Sequence, residues 1–208
     1  MPKSLFIFSI FYGGMCCIAG VLGAKQVAIG PLAVEAGIFP FLLLVITSSA
    51  VAELYGAERA NALVRFGFIP LIASILLIQL VLALPTDAGM YPPAIEAFPI
   101  ILGQSGRMMF AGLISYGLSQ TLNVYVFARL ARPEGGLLWL RAGVASVLSQ
   151  IIDTVLFISI SFYGEREIGG LMAGQMTAKI VLSVLLVPLL VTFMVKLGRK
   201  LDAAPATA

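Results

Sequence analysis

The segment AGVASVLSQIIDTVLFISISF, residues 142–162, holds one ionisable side chain in an otherwise apolar and small-polar run. About 20 such residues are what a helix needs to cross roughly 30 Å of hydrocarbon. The chain repeats this pattern, and the repetition limits its fold more than any other feature. Candidate spans run from Leu5 to Ala24, Leu32 to Leu54, Phe66 to Pro85, Gly103 to Leu130, Leu140 to Tyr163 and Leu171 to Leu197. The expected fold class is therefore an all-α membrane protein with six transmembrane helices. Residues 1–200 would form a single domain, and residues 201–208 a short disordered tail. Composition agrees: 60% of residues are hydrophobic and 11% charged, against about 45–50% and roughly 25% in soluble domains.

The first run follows Lys3 and ends in small residues, as a signal peptide would. Its apolar core is longer than the usual 7–15 residues or so, and it is read as a span. Orientation comes from the basic residues. One side collects Lys3, Arg59, Arg65, Arg129, Arg132, Arg141, Lys196, Arg199 and Lys200, and the other Lys25 and Arg166. The richer side is cytoplasmic by the positive-inside rule, which places both termini there. Residues 85–100, PTDAGMYPPAIEAFPI, form the one long connection, either an interfacial cap or a plain connector.

The chain has no histidine. Imidazole shuttles, Ser-His triads and His-based metal sites are thereby excluded, and no cofactor or metal is expected. No GxSxG motif and no paired aspartates on adjacent spans occur, so the chain is not read as an enzyme. Cys16 and Cys17 are neighbours in the first span and point about 100° apart on a helix, which disfavours a disulfide between them. The net charge of +3 is a topology signal and not a nucleic-acid footprint.

An aspartate near the bilayer centre costs about 2.5–3.5 kcal/mol on insertion scales, so it faces a partner or a wet cavity. On the fifth span Ser146, Ser149, Gln150, Asp153 and Phe157 share an arc of about 100°. On the fourth, Gly112, Ser115, Tyr116, Ser119, Gln120 and Asn123 share about 140°. The nonamers SQTLNVYVF (119–127) and SQIIDTVLF (149–157) place Asn123 and Asp153 at equivalent positions on helices of opposite direction. That hints at inverted symmetry. Counting the helical rise from either side puts Asp153 and Lys179 at one depth. The two are expected within a few ångströms of each other, with Gln175 one turn away. Glu53 is either a ligand group or an interfacial acid near Arg59 and Arg65. Arg107 either faces a substrate or snorkels to the headgroups. Gly13, Cys17, Gly20 and Ala24 suit helix packing. Small-residue rows on spans one and four would permit a homodimer.

The order ELYGAERA, SYGLSQTLNVYVF, SQIIDTVLF, then Lys179 and Pro188 in the last span resembles the queuosine precursor transporters, also called the vitamin uptake transporter family. The resemblance spans about Phe39 to Pro188. It implies a multi-pass protein of the bacterial inner membrane that imports 7-deazaguanine bases, such as 7-cyano-7-deazaguanine, for the modified tRNA nucleoside queuosine. Carried over by position, it marks Arg107, Tyr116, Gln120, Asn123, Ser146, Asp153, Phe157 and Lys179. Some relatives carry an acid at Asn123; if that acid takes part in ion coupling, this chain couples differently or not at all. A deazaguanine offers two parallel donors that a carboxylate accepts, and flat faces that aromatic rings cover. Asp153 or Glu53 is expected on the donor edge, with Gln120 and Gln150 on the remaining polar atoms, the base lying near mid-membrane between spans two, four, five and six. The alternative is a substrate-capture subunit energised by a separate ATPase partner. A channel is disfavoured because there is no ring of like charges.

Overall fold

The computed structural model describes residues 1–30, 32–103, 106–131, 137–165 and 167–203. The order is α1 (Lys3–Gly23), β1 (Gln26–Ile29), β2 (Leu32–Glu35), α2 (Ile38–Ala83), α3 (Pro92–Leu102), α4 (Gly106–Arg129), α5 (Leu138–Phe162) and α6 (Gly169–Ala203). The packing is inverted relative to a soluble domain. Among the described residues, Gln120, Asn123, Gln150 and nine serines are at most 3% exposed, whereas Leu76, Leu189 and Phe193 stand 64, 69 and 59% exposed. Apolar surface on this scale needs a hydrocarbon solvent. Among the described residues, four helices are long and apolar enough to cross a membrane, or five if the bent pair α3–α4 is taken as one span.

The second and third expected spans are one continuous element. At 46 residues, α2 would be about 69 Å long if straight, more than twice the hydrocarbon thickness. It breaks at Gly56, whose φ of 85° and ψ of 164° are non-helical. Only glycine takes that conformation without strain, and the helix resumes at once. The sequence does read a stop and restart at LYGAERA, but the change of direction needs a single residue and no loop.

Three expectations about boundaries are corrected. Leu32–Glu35, placed at the start of span two, is a strand paired antiparallel with Gln26–Ile29 in the register Gln26↔Glu35 and Val27↔Val34. Gly30, directly after β1, supplies the positive φ (58°) that a tight hairpin turn needs. A hairpin with open edges cannot sit in lipid, so the span begins at Ile38. The long connection contains α3, which starts at the helix-compatible pair Pro92 and Pro93. It bends by 47° into α4, so the fourth-span helix itself starts at Gly106, not Gly103, and it is long and apolar enough to cross only together with α3. Finally, Leu201–Ala203 extend α6. Asp202 accepts hydrogen bonds from the Ser4 amide (2.9 Å), the Ser4 hydroxyl (3.0 Å) and the Tyr55 hydroxyl, which ties α6 to α1 and α2. Residues 204–208 of the expected tail lie outside the described residues, as do Arg132 and Arg166 from the charge count.

Two apolar clusters organise the bundle. One joins Leu42, Val45 and Ile46 of α2 to Phe127, Ala142, Ala145, Val187 and Val191. The other joins Phe8, Tyr12 and Cys16 of α1 to Leu44, Val51, Val64 and Tyr116. Three glycines, one each on α1, α4 and α2, let side chains approach closely. Gly13 lies against Pro70, Gly117 against Phe68, and Gly67 against Tyr116 and Tyr12. A Cβ at Gly67 would fall 2.1 Å from the Tyr116 hydroxyl oxygen. That hydroxyl donates to the Val64 carbonyl (2.9 Å) and lies 3.1 Å from the Tyr12 hydroxyl. Gly67→Ala is therefore expected to destabilise by about 1–3 kcal/mol through overpacking. A lower unfolding temperature in detergent checks this, and an unchanged one would contradict the packing described.

Candidate functional site

α5 runs opposite to both α4 and α6, and these are its main packing partners. The shared faces bring the charged pair together. Lys179 Nζ donates to Asp153 Oδ2 at 2.7 Å. The two residues are 8 and 4% exposed. Lys179 Nζ also lies 5.6 Å from the centre of the Phe41 ring, a cation–π contact that partly replaces lost hydration. The equal depth inferred from helical rise is thus realised as a direct ion pair.

A cavity of about 170 Å³ borders this pair. That is roughly ten times the space one water needs. Asp153, Lys179, Gln175, Tyr116 and Phe157 all line it. It extends past Cys17, Gly20 and Gly112 to Gly23, Glu35, Ile101 and Leu102, at the end of the bundle that carries the hairpin and α3. The Tyr116 hydroxyl is committed to Val64 and Tyr12, so this residue offers its ring. Phe157 packs edge-on against Phe162, with centroids 6.5 Å apart. The arrangement is a charged, hydrogen-bonding floor between aromatic and aliphatic walls, suited to a small planar solute with a polar edge.

The remaining sequence-predicted residues fall elsewhere. Gln120, Asn123, Gln150 and Ser146 are fully buried and lie outside the cavity lining. Asn123 Nδ2 donates to the Ser48 and Ser49 hydroxyls at 3.1 and 3.0 Å, and Ser48 in turn donates to Gln120 Oε1 at 3.3 Å. Yet Gln120 Nε2, Asn123 Oδ1, Ser146 Oγ, Ser183 Oγ and both amide atoms of Gln150 are buried without a hydrogen-bond partner. Each such group costs about 1–3 kcal/mol if left so. Glu53 meets neither Arg59 nor Arg65. Arg141 Nη1 binds Glu53 Oε2 at 3.1 Å, Arg141 Nε donates to the Phe127 carbonyl at 3.3 Å, and the guanidinium lies 4.3 Å from the Phe127 ring centre. Arg107 neither snorkels freely nor lines the cavity. It donates to the carbonyls of Ile160 and Tyr163 (2.7 Å to the latter) and pairs with Glu165 at 3.2 Å. A cation there complements the C-terminal end of α5.

Sequence reasoning missed Phe41, Ser74, Gln79 and Glu35, which also line the cavity. Gln79 carried a usable signal as the lone amide in the run SILLIQLVLAL. Phe41 carried none, because a phenylalanine in an apolar run looks like any lipid-facing residue.

A many-helix membrane bundle with a solute-sized cavity at a buried ion pair has the anatomy of a carrier. The comparisons agree. The family model described as "Putative vitamin uptake transporter" matches residues 35–193, and the chain belongs to that family, one of transporters and not of enzymes. It is 29% identical over 158 residues to a "Probable queuosine precursor transporter" of Bacillus subtilis (strain 168), covering 74% of this chain and 68% of the relative. It is 25% identical over 167 residues to a "Queuosine precursor transporter" of Escherichia coli (strain K12), covering 79 and 72%. No solved structure matches. The protein is accordingly a multi-pass transporter of the bacterial inner membrane that moves a small molecule.

Removing one member of a buried pair leaves an uncompensated charge and typically costs about 3–5 kcal/mol. Lys179→Met alone is expected to show a loss of that order in thermal or denaturant unfolding. Lys179→Met with Asp153→Asn is expected to recover most of it. Additive losses in the double variant would show that the two side chains do not interact.

Proposed function

We propose that this chain imports queuosine precursors, 7-deazaguanine bases such as 7-cyano-7-deazaguanine, and holds the base in the cavity beside Asp153. The observation that carries this reading is an acid–base pair lining a cavity with aromatic walls. Lys179 occupies one carboxylate oxygen of Asp153. A carboxylate has about four lone-pair sites, so it retains capacity for the paired N–H donors on one edge of a deazaguanine. The Lys179 ammonium has donors for a carbonyl oxygen, and Gln175 stands one turn away. The Tyr116 and Phe157 rings would cover the faces of the base. In the empty protein Lys179 compensates Asp153. A cargo that takes over part of the carboxylate loosens that pair, and this gives the ligand a differential hold on two states.

The same reading counts six crossings: α1, the two halves of α2 about Gly56, the bent pair α3–α4, α5 and α6. The distribution of basic residues supports an orientation with both termini in the cytoplasm. The cavity then lies in the outer half of the bundle, as an importer loading from outside requires. The names of the two curated relatives support the cargo class.

Two measurements test the proposal. Binding to the cyano, aminomethyl and queuine forms is compared with guanine. Purified protein alone is then assayed for uptake into liposomes. Binding of at least one deazaguanine, with uptake by the isolated chain, is expected. Binding without uptake until an ATPase-bearing partner is supplied would instead favour a capture subunit. Preference for guanine over all three would overturn the cargo assignment. Asp153→Asn combined with Lys179→Met, a pair that keeps the fold, is expected to abolish uptake. Wild-type uptake by it would remove Asp153 from the site.

A further inference from the structure

Beneath the cavity, three helices carry buried polar atoms without partners. Gln150 is one turn from Asp153 on α5, and Ser146 two turns. Ser183 is one turn from Lys179 on α6, in the same direction because the helices are antiparallel. Gln120 is one turn from Tyr116 on α4, and Asn123 nearly two. All five residues have no exposure, and each presents at least one unpaired nitrogen or oxygen. A further turn or so along α5 and α4, Arg141 joins Glu53, the Phe127 carbonyl and the Phe127 ring. From Asp153 to Arg141 the helical rise is about 18 Å.

We infer that these side chains are a second hydrogen-bonding station, which receives the cargo after it leaves Asp153, and that the Glu53–Arg141 bridge is the latch that closes it from the cytoplasm. The inference rests on the transport reading above. A structural network pairs its own members, since an unpaired buried polar group is a loss to the folded state. Here the amide of Gln150 pairs with nothing, and Gln120 and Asn123 are half used. Donors and acceptors held in that condition from three helices suit a neutral polar heterocycle with its own donors and acceptors. The latch is built to release. It is an ion pair 11 and 23% exposed on its two side chains, at the foot of the column, where water reaches it, and it links α2, α4 and α5 through one guanidinium. Breaking it separates the three helices that close the column.

The test uses full-length protein with Cys16 and Cys17 replaced by alanine and Ser146→Cys added. A membrane-impermeant methanethiosulfonate is applied to inside-out vesicles. Labelling is expected to be slow with the latch intact and at least tenfold faster with Glu53→Gln. The swap Glu53→Arg with Arg141→Glu is expected to restore slow labelling, and its recovery also shows that the fold survives. Equal rates with and without the latch would overturn the gate, whatever the cargo proves to be. For the station, Gln150→Leu is measured by unfolding temperature, base affinity and uptake. The station predicts an unchanged or higher unfolding temperature, affinity within about threefold of wild type, and uptake reduced at least tenfold. Undiminished uptake would reduce Gln150 to packing. Failure of the wild type to bind any deazaguanine would reject the cargo reading alone, because the labelling result does not depend on it.

Discussion

An aspartate and a lysine meet inside lipid, and most of the architecture serves to make that meeting tolerable. Neither charge is affordable singly at that depth. Together, at 2.7 Å, they form a neutral unit, but one still poorly solvated. The cavity at its edge and the Phe41 ring beside the ammonium supply part of what water would. A buried ion pair is weak evidence for stability. Under the proposed function its placement at a cavity floor is a cost borne for binding, since apolar residues would pack those helices at least as well.

The rest of the bundle can be read outward from that pair. α5 presents its polar stripe to α4 and α6 and its aliphatic side to the surroundings, as Leu148 and Ile152 show. The break at Gly56 returns α2 through the bundle, so its second half can set Gly67, Phe68 and Leu71 against Tyr116 and the cavity. The hairpin and α3 lie at the mouth. The Arg141 bridge closes the opposite end. A cavity open towards one side, and a polar column sealed by a bridge towards the other, are the two halves that an alternating mechanism needs. Their order along the helices follows from the helical rise alone.

Several of these features were visible in the chain before any coordinates. The polar stripes follow from 100° per residue, and each predicted member of the fifth-span stripe is buried or lines the cavity. The ion pair was legible because two helices of opposite direction carry their lone charges at equal depth. Glu53 and Arg107 were ambiguous for a physical reason. Both stand near helix ends, where headgroups, loops and neighbouring helices compete as partners, and sequence spacing cannot choose among them. Arg141 was read only as a topology charge. Its contact with Glu53 joins residues 88 positions apart, which no local periodicity encodes.

Hydropathy and helical period determine by themselves that this chain is a membrane bundle, which faces are polar, and which charges must find each other. These are properties of single helices in a solvent of fixed thickness. Tertiary structure alone decided that the polar face divides into a lined cavity and a closed column, that Tyr116 gives its ring and not its hydroxyl, and that Leu32–Glu35 leave the membrane as a strand. Each of those outcomes depends on how distant segments compete for the same hydrogen bonds and the same volume, and that competition exists only once the helices are assembled.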